Sequence, residues 1–508
     1  MLVATPSGHR HPSTLLRLLL GIGMALMCLV LPLEAQGKPQ RPSTSQVTRQ
    51  ARKARAAARQ APRQSRRRRS QVLIGPRGEV LGRLDRIQQA LGGTLGATAG
   101  PQVGIGPTMH SGVFEITLSG TVTGTGWEES FLLGIPMGAL VPRAPLLVAF
   151  HSYSRTPQEI LQDTDYFSEA MARGWYVLAP LGAHKFGFGL DYSQRNIRAA
   201  VEWAMGQVPV DPERIYGVGF SMGGGVALNY AARYLDPTGP MMAAVVDHTG
   251  TVSIRDEYAN AVDTSLFENP LMFGGSPSQV PFAYQQASSI DMDPLTAVVD
   301  PDADLLRNLG HVHLRIWNVD QDPVTYLLAQ TLALGSHALG LGLTPLIETG
   351  PGSSHSWDSL DEAAVLDWLD PLRLYIPVPG DQVDVLAHED GRYFHFELTQ
   401  DAGGAFSPFR WHCDTISNHL TIDRIGNVER LRFEMDEVGL LQGQLFEVEL
   451  GSDDGDGLRV EIGGLPAAPA SVQRNGQASG NWSYDVTTGL LVIDEAGSST
   501  PGIWSILP

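Results

Sequence analysis

From residue 112 onward the chain alternates two kinds of hydrophobic pattern. Continuous apolar runs of strand length recur: "APLLVAF" (Ala144 to Phe150), "WYVLAPL", "RIYGVGF", "MMAAVVDHTG", "HVHLRIWNV" and "TPLIETG". A strand with no polar face is buried on both sides, as in a parallel sheet covered by helices. Between these runs, apolar residues recur every three or four positions in "TPQEILQDTDYFSEAMARG", "SQRNIRAAVEWAMGQ", "ALNYAARYL" and "LDEAAVLDWLDPL", which read as helices. "GVFEITLSGTV" and "ESFLLGIPMGAL" read as an antiparallel pair that opens the sheet. The pattern predicts an α/β fold over residues 112–376, a mostly parallel sheet with helices on both faces.

Beyond Pro377 the texture changes. "RYFHFELTQ", "HLTIDRI", "RLRFEMDE", "QLFEVELG", "LRVEIGGL" and "GLLVIDE" are short alternating segments between turns, which predicts an all-β, sandwich-like accessory domain over 377–508. Residues 71–111 hold one helix-like piece, "LGRLDRIQQALGG", and then Gly-rich sequence, and form an N-terminal extension without a firm boundary. Two long connections, 182–193 and 253–293, carry no clear period and would shape any pocket above the sheet.

Charge and composition change the picture at the N-terminus. Arg10 and Arg17 precede an apolar run, Leu18 to Leu33, and small Ala35 follows it. That is the layout of a signal peptide over residues 1–36, which implies bacterial export, secreted or periplasmic. The run is short for a bilayer span, so a retained membrane anchor is the alternative, and no integral span is expected after cleavage. Residues 37–70 carry twelve Lys or Arg and no acid among Ala, Gln and Pro, a composition that cannot bury a core and predicts a disordered basic linker. The remainder, 71–508, holds 22 basic and 53 acidic residues, which argues against a nucleic-acid partner. Cys28 and Cys413 are the only cysteines, so removal of the signal leaves no intramolecular disulfide.

One stretch carries candidate chemistry. In "RIYGVGFSMGGGVAL" the motif G-x-S-x-G places Ser221 between a buried strand and a helix. That turn lifts a serine hydroxyl above the sheet edge, and its glycines allow the strained, close-packed elbow. With 56 glycines in 508 residues, the motif alone does not decide. A serine needs a base, and the base needs an acid to orient it. After "HVHLRIWNV" come Asp320 and Asp322 in "DQDPV", and after "TPLIETG" comes His355 in "PGSSHSW". Serine, acid and histidine therefore follow in order, each on a loop after a strand.

Together, "VDPERIYGVGFSMGG", "DQDPV" and "SSHSW" resemble the α/β-hydrolase superfamily over 112–375. Within it the likeness is to prolyl-oligopeptidase-like domains, dienelactone-hydrolase-like proteins and secreted polyester or feruloyl esterases. The resemblance implies Ser221 as nucleophile, His355 as general base and an aspartate as its partner. Relatives end the preceding strand with Gly, two residues, Asp, two residues and Val; here Asn318 replaces the glycine and the spacing is disturbed. Asp322 is the first choice, Asp320 the alternative and Asp247 a third. The resemblance also implies an oxyanion hole from the backbone N–H groups of Met222 and Tyr153. Tyr153 lies in "HSYSR", where relatives carry His-Gly and this chain has His151-Ser152. His151 and Trp357 are the candidate pocket residues, and His248 is a further one.

No HExxH or Cys/His spacing is present, so no metal and no cofactor are expected, and "SDDGDG" reads as a hairpin turn. The resulting expectation is an exported serine hydrolase that cleaves carboxylic esters, polymeric esters included, through an acyl-enzyme. A prolyl-oligopeptidase-like serine peptidase is one alternative, although no propeller-length segment precedes the catalytic region. A non-catalytic surface-binding protein on a hydrolase scaffold is another. Trp411 and Trp482 are candidates for a binding stripe on the C-terminal domain. The sequence does not set an oligomeric state.

Overall fold

The computed structural model describes residues 103–110, 112–136, 143–452, 455, 457–497 and 500–508. The expected signal peptide, basic linker and helix-like piece at the N-terminus lie outside the described residues, as does part of "SDDGDG".

The first sheet has nine strands in the order β1-β2-β3-β5-β4-β6-β7-β8-β9. They are β1 Val103–His110, β2 Val113–Leu118, β3 Glu129–Gly134, β4 Ala144–Phe150, β5 Tyr176–Pro180, β6 Val210–Phe220, β7 Ala244–His248, β8 His313–Val319 and β9 Leu346–Gly350. The strands from β1 through β3 to β5 pair antiparallel. From β5 across to β9 all pairings are parallel. This is a mixed α/β sheet, with β1 as an extra antiparallel strand that the Gly-rich sequence ahead of residue 112 did not reveal.

Strand β4 explains the unbroken apolar runs, since every one of its residues is buried. Leu146, Val148 and Phe150 join one core with Ile197, Ala200 and Ala204 of helix Asp191–Gln207 and Leu228 and Ala231 of helix Met222–Arg233. Leu147 and Ala149 face the other way, into a core with Phe167 and Ala170 of helix Tyr166–Ala172 and Val365 and Leu369 of helix Glu362–Leu369. Helices thus cover both faces, as the pattern required.

The helix expected across "TPQEILQDTDYFSEAMARG" is two helices, Gln158–Asp163 and Tyr166–Ala172. Thr164 is extended between them, and its hydroxyl both donates to the Ile160 carbonyl (2.5 Å) and accepts from Tyr166 N (3.3 Å). A hydroxyl that serves backbone groups on both sides ends one helix and starts the next.

The C-terminal region forms a seven-stranded and a six-stranded sheet. Their inner faces share one core, with Phe396, Leu431 and Val460 from one sheet and Phe409, Trp411 and Val448 from the other. Two of the pairings are parallel, Val428–Glu434 with Leu458–Gly463 and His419–Ile425 with Phe446–Ser452. Trp411 is wholly buried in this core, so the expected exposed stripe does not form there. Trp482 is half-buried, and its indole donates to the Ser479 carbonyl (3.0 Å).

The two regions are knitted together. Leu386 of the sandwich sits in the α/β core, whereas Leu235 and Met241 of the α/β region sit in the sandwich core. Asn308 donates to the carbonyls of Ala232 (2.8 Å) and Leu386 (3.0 Å) and accepts from Leu386 N (2.8 Å). Among the described residues no helix is long and apolar enough to cross a membrane.

Candidate active site

The site is assembled at the edge where the parallel strands end. Ser221 lies between β6 and helix Met222–Arg233 with φ 57° and ψ −125°, a conformation that costs a non-glycine residue energy. The surroundings over-determine it: Ser221 N donates to the His248 carbonyl (3.0 Å), and the Ser221 carbonyl accepts from Gly224 N (3.0 Å) and Thr251 N (3.1 Å). Two glycines of the motif are forced by close approach. A Cβ on Gly219 would lie 2.1 Å from the Gly223 carbonyl oxygen, and one on Gly223 would lie 2.2 Å from that of Phe150.

Three side chains converge. His355, on the loop after β9, places Nε2 at 2.9 Å from Ser221 Oγ and Nδ1 at 2.9 Å from Asp322 Oδ2. A carboxylate can only accept, so the Nδ1 proton lies toward Asp322 and Nε2 is left to accept from the serine hydroxyl. Asp322 is 3% exposed, and its other oxygen accepts from Val324 N (2.8 Å). Asp320 is exposed and turned elsewhere, accepting from Gly352 N (2.9 Å). Asp247 is buried beside the first turn of the serine's helix, where a Cβ on Gly224 would lie 2.4 Å from its Oδ1. Burial raises its carboxyl to about 7, against a lowering by the Gly250 N–H.

Behind His355 sits an aromatic packing layer. The Phe220 ring lies 4.4 Å from the His355 ring, and His248 and Trp357 pack on Phe220 at 4.8 and 5.4 Å. Burial, and then the His355 charge, depress His248 to about 3, and its Nε2 lies 2.6 Å from Ser359 Oγ. His248 is therefore interior, and so is Trp357, 5% exposed and edge-on to Tyr166. His151 is interior too, with Nδ1 2.8 Å from the Ser152 carbonyl and Nε2 3.0 Å from the Leu181 carbonyl. Of the two candidate pocket residues, His151 thus faces backbone carbonyls and Trp357 packs against Phe220 and Tyr166.

Met222 follows Ser221 directly, and Tyr153 lies on the loop after β4. Met222 N is in the first helical turn, where N–H groups have no intrahelical acceptor. Its side chain is buried in the α/β core. Among the described residues, no acceptor takes the Tyr153 N–H. The Tyr153 ring is 44% exposed and packs on Phe186 (5.2 Å) and Phe188 (5.4 Å) of the 181–190 loop.

Several polar residues that shape the site gave no signal in the sequence. Glu129 is fully buried at the start of β3 and accepts from the N–H groups of Leu181 (2.8 Å), Gly182 (3.0 Å) and Ala183 (2.7 Å). Burial raises it to about 7 despite those bonds. It anchors the loop that presents Phe186 and Phe188. Glu257, in helix Ile254–Asn260, accepts from the Tyr326 hydroxyl (3.0 Å) and is likewise raised to about 7 by burial. Glu159 holds Ser152. Each of these contacts joins residues far apart in sequence or sits on an acid inside an otherwise ordinary helical turn, so no spacing announces it. Among the described residues, no group of three or more His, Cys, Asp or Glu is placed to hold a metal ion.

No protein-family model and no curated protein matches the chain. Among solved structures it is similar to an S-formylglutathione hydrolase of Staphylococcus aureus, at 16% identity over 51% of this chain and 98% of that one, with a TM-score of 0.38. It is similar to a ferulic acid esterase at 18% identity, over 50% and 94% of the two chains, with a TM-score of 0.36. It is also similar to an acylaminoacyl peptidase of Pyrococcus horikoshii at 16% identity, over 56% of this chain and 44% of that one, with a TM-score of 0.37. Likeness at this level carries no argument about chemistry, which rests on the site's own residues.

Proposed function

We propose that this chain is an exported serine hydrolase that cleaves carboxylic esters through an acyl-enzyme. The observation that carries the reading is the continuous hydrogen-bonded line Asp322–His355–Ser221, with both links at 2.9 Å and the serine held in a strained elbow. In this reading Ser221 Oγ attacks the ester carbonyl as His355 Nε2 takes its proton. Asp322 keeps the imidazole in the required tautomer and stabilises the imidazolium. The oxyanion receives the N–H groups of Met222 and Tyr153. His355 then protonates the leaving alcohol, a water takes its place, and the same imidazole accepts the water's proton as the acyl group leaves Ser221.

The exposed ring of Tyr153, backed by Phe186 and Phe188, supports an acyl or aryl group lying beside the nucleophile. An ester asks less of such a site than an amide does, because an alkoxide leaves without the protonation an amine requires. The test is a panel of alkyl esters and peptide anilides that share one acyl group. Turnover of the esters, with the anilides at least about 10³-fold lower in kcat/KM, is expected; comparable turnover of the anilides would move the assignment to a peptidase.

A further inference from the structure

The loop after β4 departs from the His-Gly pattern of the resembled family, because Ser152 stands where those proteins have glycine. A buried serine brings a hydroxyl that needs a partner. Here Glu159 supplies it. Ser152 N donates to Glu159 Oε2 and Ser152 Oγ donates to Glu159 Oε1, both at 2.7 Å, so one carboxylate grips one residue with both oxygens. Both residues are buried, at 9% and 8% exposure. Glu159 lies in the helix Gln158–Asp163, so the grip ties the loop to a packed element. Among the described residues the cation paired with it is Arg155 at 3.7 Å, which is largely exposed and contributes little.

The next peptide is held from its other end. The Ser152 carbonyl accepts from Arg155 N (3.2 Å) and faces His151 Nδ1 at 2.8 Å. A trans peptide is planar, with C=O and N–H pointing in opposite directions. Fixing the Ser152 carbonyl therefore fixes the direction of the Tyr153 N–H, away from His151 and Arg155. The following residue is anchored as well: Ser154 N donates to the Lys185 carbonyl (3.0 Å), with Ser154 at φ 62°.

We propose that Glu159 is a positioning residue, which, with His151, clamps Ser152 so that the Tyr153 N–H is pre-aimed at the oxyanion. This rests on the serine-hydrolase reading and adds to it the device that replaces the glycine. The carboxylate acts through Ser152 and touches no substrate. Pre-aimed donors are where catalysis of this type gains most, and a misplacement of about 1 Å costs on the order of 10²-fold in rate.

The test uses the full chain with Glu159→Gln, Ser152→Ala and the double variant, assayed on one alkyl ester below their melting temperatures. An amide at position 159 must turn its N–H₂ toward one of the two Ser152 donors, so one grip is lost. Glu159→Gln is expected to lower kcat about 10- to 100-fold with KM nearly unchanged. It should weaken inhibition by a trifluoromethyl ketone, whose adduct carries the oxyanion, by a similar factor. Ser152→Ala keeps the backbone grip and should lose less than about fivefold. The double variant should fall short of the product of the two single effects. A Glu159→Gln enzyme with parental kcat and parental ketone inhibition, whatever its melting temperature, overturns the proposal. A parent that turns over no ester overturns instead the reading on which it rests, and Ser221 labelling by a fluorophosphonate reports on that reading separately.

Discussion

Asp320 and Asp322 leave the same strand two residues apart, and hydrogen bonds separate their roles. Asp322 is buried against His355 Nδ1, while Asp320 caps the loop through Gly352 N. Asp322→Asn should keep the fold and lower kcat by about 10³- to 10⁴-fold, since an amide can present a donor to the imidazole and select the wrong tautomer. Asp320→Asn retains an acceptor for Gly352 and should stay within about threefold of the parent. Steady-state kinetics of the two variants decides between them, and the reverse ranking would return the role to Asp320. At this scale the sequence was most legible where the chemistry is tied to local backbone. Ser221 is visible because its elbow demands glycines, and His355 and Asp322 because each must follow a strand. Ser152, Glu159 and Glu129 were opaque, because what makes them matter is a carboxylate brought to backbone N–H groups by tertiary packing. The burial of Trp357 and His151 was equally hidden, because their ring and backbone partners are set by tertiary packing.

The elements show where periodicity carries information. β4, β5 and β7 are buried throughout, and their apolar runs say so. Helix Thr325–Gly340 gave no such signal. Its inward stripe includes Gln330 and Thr331, while Leu332 and Leu339 face outward at 53% and 58% exposure. The inward Gln330 has work to do, accepting from Val252 N (2.8 Å) and Ser253 N (2.9 Å) and donating to Asp256 (2.9 Å). Asp247, at the end of β7, makes a prediction about the elbow itself. Burial raises its folded-state carboxyl from the usual 3.8 to about 7, so the folded chain holds a proton that the unfolded chain releases. Its contribution is therefore present below about pH 4 and is lost as pH rises toward 7. Asp247→Asn removes that loss. The variant should be more stable than the parent by about 1–3 kcal/mol at pH 8, with the difference shrinking toward pH 4. Urea unfolding at the two pH values measures it, and a difference that does not change with pH would contradict the assignment.

For the whole molecule, the change of texture at Pro377 marks the start of the β region, yet the two regions do not separate there. Leu235 and Met241 belong to the α/β part by sequence and to the sandwich by packing, a swap that no local pattern encodes. An ionic network crosses the same junction. Asp191 pairs with Arg233, which is buried at the end of the serine's helix, and with Arg195, which also pairs with Glu389 of the β region. Glu389 is depressed to about 2: burial would raise it, but His388, Arg233 and Arg195 outweigh that. The two regions should consequently unfold together, in one calorimetric transition. Asn308→Ala, which strips the buried Leu386 and Ala232 backbone groups of their partner, should lower stability by about 2–4 kcal/mol. Two separate transitions in the parent would contradict a shared core.

The central claim is that Ser221 is an activated nucleophile. A fluorophosphonate forms a covalent bond only with a serine whose proton a base can take, so labelling tests it most directly. The purified parent should label, Ser221→Ala should not, and His355→Ala should label far more slowly. A folded parent that takes no label, or a Ser221→Ala variant that labels as the parent does, would contradict it.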